Sequence, residues 1–191
     1  MRYIFITSQA LAALCLTLVV ACDPGSTPTA SSLANFNAVG RSGFGFNGTV
    51  SGFPTGVVRL TGGGSYDPST ASNTVPKQTS VHSAGGFDCD STVAQGPIAG
   101  CQAGQGVRWD TRQLLESTSF KCSASDPLKP VGTDAHTAVL LADFYRAGDG
   151  NDESFTAQMI VSDEDLAPNI PGVQNLWVQG VGCGTAIVNF N

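Results

Sequence analysis

The chain has 191 residues, a formal net charge of −6 and charged side chains at only 13% of its positions, about half the usual ~25%. Long surface helices need Glu, Lys and Arg on their solvent faces, so this composition disfavours helical bundles and coiled coils. The acidic balance also predicts no nucleic-acid partner, because phosphate contacts need clustered Lys and Arg.

Residues 1–21 have the pattern of a secretory signal peptide. Arg2 is followed by an uncharged stretch over 4–21, and the next charge is Asp23. A positive start, an apolar core of about a dozen residues and a small residue at the break are typical of such signals. A transmembrane anchor is the alternative, but polar residues at 7–9 shorten the apolar run below the ~20 residues that a span needs.

The end of this segment, Val19-Val20-Ala21-Cys22, resembles a bacterial lipobox. The resemblance implies that Cys22 takes a diacylglyceryl group, that signal peptidase II cuts before it, and that a fatty acid such as palmitate acylates the new amine. Two or more chains anchor a protein stably in a membrane, whereas one chain binds reversibly. The alternative is an ordinary cleavage site after Ala21, with Cys22 beside it by chance.

The lipobox implies a protein of the bacterial cell envelope, lipid-anchored to a membrane and facing the periplasm or the cell exterior. Residues 22–36 then form a lipidated N-terminus and a flexible tether. Their Pro, Gly, Ser and Thr content, without apolar periodicity, is typical of linkers. Residues 37–191 remain for a single domain, which is long enough to bury most of its surface.

Residues 37–191 predict an all-β fold of about eight short strands with very little helix. Apolar and polar side chains alternate repeatedly, which is typical of strands with one buried face. The predicted strands are 44–51, 57–61, 79–87, 116–122, 136–145, 155–161, 172–180 and 181–190. Turns separate them, including the glycines 62–64, and only 111–115 and 162–166 are compatible with a helical turn. The pattern indicates a β-sandwich or a barrel, and we favour an immunoglobulin-like or jelly-roll β-sandwich.

Three stretches resemble the layout of the bacterial post-COAP domain, an immunoglobulin-like accessory module of secreted bacterial proteins. They are Phe44-Gly45-Phe46, the run from Ala142-Asp143-Phe144-Tyr145 to Asp152-Glu153-Ser154-Phe155, and Cys183-Gly184-Thr185-Ala186-Ile187. The resemblance implies an immunoglobulin-like module, for which no activity is established.

Four cysteines remain in the exported domain once Cys15 and Cys22 are set aside. They are Cys89, Cys101, Cys122 and Cys183. Disulfides are expected in an exported chain, and four cysteines allow three connectivities. We favour Cys89–Cys101, because 90–100 lacks strand or helix periodicity and predicts a loop that a bridge would close; Cys122–Cys183 follows by elimination. A zinc site is the alternative, although the chain has no Cys-x-x-Cys and only two histidines.

An acidic turn is the best candidate for a metal site. Asp149, Asn151, Asp152 and Glu153 offer closely spaced oxygen ligands, as calcium loops do. The segment departs from the EF-hand pattern, because Ser154 stands where that loop needs Gly. A second acidic cluster at 162–165 instead predicts a helix N-cap. Solvated turns are the alternative for both clusters, so the sequence predicts no cofactor, with calcium at this first turn as the alternative.

Candidates for catalysis are few. The chain contains neither a Gly-x-Ser-x-Gly nucleophile elbow nor a phosphate-binding loop motif. Asp134 and His136 have a spacing that a general base can use, and His82 lies in another predicted strand; strand-edge polar contacts are the alternative. Trp109 and Trp177 would form a sugar-binding platform if exposed and belong to the core otherwise.

These observations favour an envelope protein whose β-domain is a binding or structural module, not a catalyst, with a protein or a glycan as its partner. One alternative is a secreted hydrolase on a β-sandwich, and another is a calcium-dependent carbohydrate-binding or adhesion module.

Overall fold

A computed structural model describes residues 40–74, 78–146 and 154–191, which contain ten β-strands. The strands are β1 (Ser42–Ser51), β2 (Val57–Tyr66), β3 (Val81–Ser91), β4 (Arg108–Leu114), β5 (Ser117–Phe120), β6 (Lys129–Gly132), β7 (Thr137–Tyr145), β8 (Ser154–Ser162), β9 (Leu176–Val178) and β10 (Gly182–Phe190). The one helical segment within these described ranges is a short 3-10 helix, Pro68–Thr70. The predicted signal peptide, Cys22, the tether and Asp149, Asn151, Asp152 and Glu153 lie outside the described residues.

Eight strands pair into a closed antiparallel barrel in the order β1–β10–β9–β8–β7–β4–β3–β2. Strands adjacent in the barrel are also consecutive in the chain, with two exceptions: β1 pairs with β10, and the separate β5–β6 hairpin lies in the chain between β4 and β7. The predicted all-β fold is confirmed. Its main sheet closes on itself instead of dividing into the two sheets of a sandwich, because β1 pairs with β10 as well as with β2. Closure gives each of these eight strands a paired neighbour on both sides, although β3 and β4 pair only over residues 84–86 and 108–110.

Large aromatic side chains fill the interior of the barrel. Trp109 is fully buried, and its Nε1 donates a hydrogen bond of 3.1 Å to the carbonyl oxygen of Thr61. The ring of Phe46 packs 5.8 Å from that of Trp109, and Phe87 meets Phe144 edge-on at 5.2 Å. Aromatic pairs at these separations add stability beyond the area they bury. The interior is therefore a packed core.

Strand β2 runs straight through Gly62, Gly63 and Gly64, so the predicted turn at these residues is wrong. A Cβ at Gly62 would collide with the indole ring of Trp109, and one at Gly64 would collide with the carbonyl oxygen of His82. Glycines inside a strand often mark such a close approach of neighbouring groups. The three glycines therefore leave room for the Trp109 side chain in the core and for strand β3.

Strand β4 includes most of the segment 111–115, which in the sequence is compatible with a helical turn. Its exposed Arg108 and buried Trp109 alternate as in a strand, but the pairing with β7 shifts register between Thr111 and Gln113. This irregularity interrupts the alternation of buried and exposed side chains, so the sequence pattern does not predict the strand. The segment 162–166 is not helical either, since Ser162 ends β8 and a bend follows.

The β5–β6 hairpin packs against the outside of the barrel. The sequence pattern does not predict strand β6, because the strand contains Pro130 and proline is tolerated only at a sheet edge or at the start of a strand. A second apolar cluster lies under the hairpin, separate from the barrel core. Its buried members are Phe120, Cys122, Ile160, Ala167, Trp177 and Cys183. The hairpin is thus an external layer on β8, β9 and β10.

Both disulfides have the pairing that the sequence favours. Cys89 joins Cys101, 12 residues further on, and Cys122 joins Cys183 across 61 residues. The first closes the connection that follows β3. The second ties the segment after β5 to the outer face of β10.

Candidate functional site

The two ends of the barrel differ in what they carry. At one end, the terminal end, the described chain starts at Gly40 and finishes at Asn191, which exchanges backbone hydrogen bonds of 2.9 and 3.0 Å with Gly43. Consecutive barrel strands run in opposite directions. The β1–β2 turn, the β3–β4 loop and the β9–β10 turn therefore share the opposite end, which we call the cap end.

The cap end is dominated by the β3–β4 loop, residues 92–107, which contains no charged side chain. Val93 and Ile98 of this loop are fully buried in the barrel core. The amide of Val93 donates to the carbonyl of Cys101 at 2.9 Å, and that of Gly100 donates to the carbonyl of Val93 at 2.8 Å. Long connections that pack on themselves in this way frequently carry function.

Three contacts fix the loop to its neighbours at the cap end. The amide of Ala94 donates to Oγ1 of Thr55 in the β1–β2 turn at 2.8 Å. Arg146, which follows β7, donates to the carbonyl of Gly100 at 2.9 Å. Gly96 meets Gly180 of the β9–β10 turn so closely that a Cβ on either would collide with the other. These contacts join several connections into one surface at the cap end.

An apolar pocket of about 150 Å³ lies where the cap end meets the hairpin. Its walls include Phe53 and Pro54 of the β1–β2 turn, Phe120 of β5 and Trp177 of β9. Lys121 also lines it, with Nζ 4.7 Å from the ring centroid of Phe53.

Leu128 stands at the same pocket with 66% of its surface exposed. Sequence reasoning missed this pocket, because it depends on where the hairpin docks. The available signal was the apolar pair Phe53-Pro54 in a turn.

His136 forms an ion pair with Asp163 near the terminal end. Its Nδ1 lies 2.9 Å from Oδ2 of Asp163, and the hydrogen bond and charge of Asp163 raise the pKa of His136. The imidazole is exposed over 63% of its surface. Asp134 accepts from the backbone N–H of His136 at 2.8 Å, not from the ring, so the predicted pair is a turn contact. Ser162 Oγ faces the carbonyl of His136 at 3.3 Å, and no Ser–His–Asp relay exists among these residues.

His82 lies on the exposed outer face of β3. It shares a shallow groove with Asp110, but that carboxylate pairs with Arg108 at 3.4 Å. Neither described histidine therefore sits in a cleft opposite a nucleophile.

Two acidic side chains of the cluster 162–165, Asp163 and Asp165, are engaged in other contacts. Oδ1 of Asp165 accepts from the amides of Ala167 and Gln174, each at 3.0 Å, while Asp163 faces His136. No group of three His, Cys, Asp or Glu residues in ranges 40–74, 78–146 and 154–191 is placed to hold a metal ion. The four cysteines of the zinc alternative are consumed by disulfides. The calcium candidates at 149–153 stay a prediction.

The two tryptophans do not form an exposed platform. Trp109 is fully buried in the barrel, and Trp177 is 7% exposed beneath the hairpin. Both belong to hydrophobic clusters. Stacking of a sugar ring needs an open aromatic face, which neither side chain offers.

Within the part of the chain that the structure describes, no helix is long and apolar enough to cross a membrane. Comparisons with models of protein families, with curated proteins and with solved structures found no match to this chain.

Proposed function

We propose that the chain is an exported, lipid-anchored protein of the bacterial cell envelope whose barrel acts as a binding or structural module. The observation that carries this proposal is the difference between the two ends of the barrel. The chain enters at Gly40 on the terminal end, and the stapled loop 92–107 lies at the other end. A lipid on Cys22 would attach the barrel to the membrane through the tether that leads to its terminal end, and would leave the cap end free to contact a partner.

The disulfides support export. Disulfides persist in oxidising compartments and are rare in the bacterial cytosol. A chain that closes two bridges and also begins with a signal-like segment and a lipobox fits the outer side of the cytoplasmic membrane. The kinship with the immunoglobulin-like post-COAP module is part of the same proposal, and its support is the sequence resemblance in β1, β7 and β10.

The cap end supports binding over catalysis. The cores of protein interfaces are depleted in charged residues, and loop 92–107 has none. A surface whose connections are already joined by contacts loses less conformational entropy when a partner docks. In contrast, the exposed His136–Asp163 pair lacks a nucleophile and a cleft. The binding proposal would be contradicted if the protein shows turnover in a hydrolase assay and the His136→Ala variant loses it.

The anchoring part of the proposal is tested by cell fractionation of a Cys22→Ser variant. We expect the variant to leave the membrane fraction or to remain unprocessed, and to lose incorporation of labelled fatty acid. Cys15→Ser is the matched control, because it removes a thiol from the predicted signal peptide without touching the lipobox. Unchanged membrane association and processing of Cys22→Ser would refute lipid anchoring.

A further inference from the structure

We infer that the apolar pocket between the cap end and the hairpin receives an apolar side chain from an acidic segment of a partner protein. The inference rests on the proposed binding function and specifies the chemistry of its partner. It follows from the size of the pocket, its walls and the charge at its rim.

The size of the pocket favours a single side chain over a larger ligand. At about 150 Å³ it is well below the ~300–1,000 Å³ of typical small-molecule sites. Its lining residues include the aromatic Phe53, Phe120 and Trp177, together with Leu128, which is largely exposed. Pockets that accept one buried anchor residue dominate the energetics of many protein interfaces.

The rim of the pocket carries positive charge that the described chain does not neutralise. Lys121 lines the pocket and forms no ion pair with a described residue. Lys129 of the same hairpin is not among the lining residues, and its Nζ donates to Oδ1 of Asn169 at 2.6 Å. Asp126, the hairpin's own acidic residue, accepts from the side-chain amide of Asn169. A carboxylate beside the anchor residue of the partner would complement Lys121.

The walls are held in place before any partner arrives. Trp177 belongs to β9 of the barrel, and the Cys122–Cys183 bridge fixes the end of β5 to β10. The rings of Phe120 and Trp177 are 6.1 Å apart and pack against each other. A preformed pocket of this kind binds at a lower entropic cost than one that must assemble.

The test is an NMR titration of the full chain, held in detergent micelles, with three acetylated and amidated peptides. They are Gly-Glu-Glu-Leu-Glu-Glu-Gly, the same peptide with Ala for Leu, and the same peptide with Lys for every Glu. The indole N–H signal of Trp177 reports on the pocket, and that of Trp109 in the barrel core is the internal control. We expect the leucine peptide to shift only the Trp177 signal. The alanine peptide should bind about tenfold more weakly because it buries less apolar area, and the lysine peptide should not bind.

Half-buried Lys121 and exposed Leu128 at the pocket provide two variants. Lys121→Glu should weaken binding of the leucine peptide about tenfold or more, and Leu128→Ser should weaken it less. Arg41→Glu makes the same charge change at the terminal end and should leave binding unaltered. The inference would be overturned if the Trp177 signal does not move, or if the alanine peptide binds as well as the leucine peptide. It would also be overturned if the Trp177 signal shifts with protein concentration in the absence of peptide, which would indicate that a second copy of the chain occupies the pocket. A partner that contacts the cap end while these peptides fail to bind would remove the pocket inference and leave the binding function intact.

Discussion

The barrel and the external hairpin are stabilised in different ways. The barrel buries a continuous aromatic core that extends into the cap loop through Val93 and Ile98. The hairpin covers a much smaller cluster around Phe120 and Trp177, and a disulfide reinforces it. Small apolar clusters bury too little area to order a segment on their own. The barrel therefore provides the framework, and the hairpin completes one wall of the pocket.

The two disulfides show the same difference. Cys89 and Cys101 are 0% exposed within the barrel core, whereas Cys122 and Cys183 are 8% and 4% exposed and line a groove of about 550 Å³. One bridge is sealed inside the barrel core, and the other lines a surface groove. The consequences of breaking each region should differ accordingly.

The largest expected effect is on the barrel core. Trp109→Ala removes a fully buried side chain, and we expect it to lower the free energy of unfolding by about 3–5 kcal/mol. Trp177→Ala, the matched change under the hairpin, should leave the barrel strands protected and loosen the hairpin alone. Urea unfolding combined with hydrogen exchange measures both. Equal global destabilisation by the two variants would contradict the division into two regions.

The next effect concerns the bridge to the hairpin. Replacing Cys122 and Cys183 together with Ser should lower stability by about 2–4 kcal/mol and expose hairpin amides to exchange while the barrel stays folded. In the native protein, dithiothreitol should reduce this bridge before Cys89–Cys101, because thiol attack needs access to sulfur. Mass spectrometry of alkylated peptides gives the order. Prior reduction of Cys89–Cys101 would refute the assignment of the sealed bridge.

A smaller effect is expected at the cap end. Thr55→Ala removes the acceptor for the amide of Ala94 and should cost about 1 kcal/mol, with faster exchange confined to loop 92–107. Thr92→Ala is the control, since its exposed side chain has no hydrogen bond to a described residue. Identical exchange in the two variants would show that the Thr55 contact does not fix the loop.

The smallest effect is the pH dependence of the pair at the terminal end. Because Asp163 raises the pKa of His136, the contribution of the pair to stability is present below the ordinary histidine pKa of about 6.5 and is lost as pH rises through the raised value. Asp163→Asn should lower the pKa of His136 in an NMR titration, with the signals assigned through His82→Gln. A pKa that does not change in Asp163→Asn would show that the ion pair is absent in solution.

Much of the strand content follows from local pattern. The alternation of Ala157, Met159 and Val161 with polar neighbours predicts β8, and the unpatterned stretch after Cys89 predicts a bridged loop. These features depend on residues close in sequence, where side-chain periodicity is informative.

The closure of the barrel could not be predicted in this way. It depends on β1 pairing with β10, for example Phe46 opposite Val188, across most of the domain. The glycine at position 62 of β2 likewise has a tertiary cause, because the indole of Trp109, far along the chain, leaves no room for a side chain there. The pocket arises only when the hairpin docks beside Phe53. Each of these is a tertiary constraint that local propensity does not encode.

The most direct test of the binding function is photo-crosslinking in intact cells from two exposed glutamines, Gln102 in the cap loop and Gln78 in the β2–β3 loop at the terminal end. Each is replaced in turn by a photoreactive phenylalanine derivative. A cap end that contacts an envelope partner predicts a discrete adduct from position 102 and none from position 78. Adducts from position 78 alone, or from neither position, would contradict a binding role for the cap end.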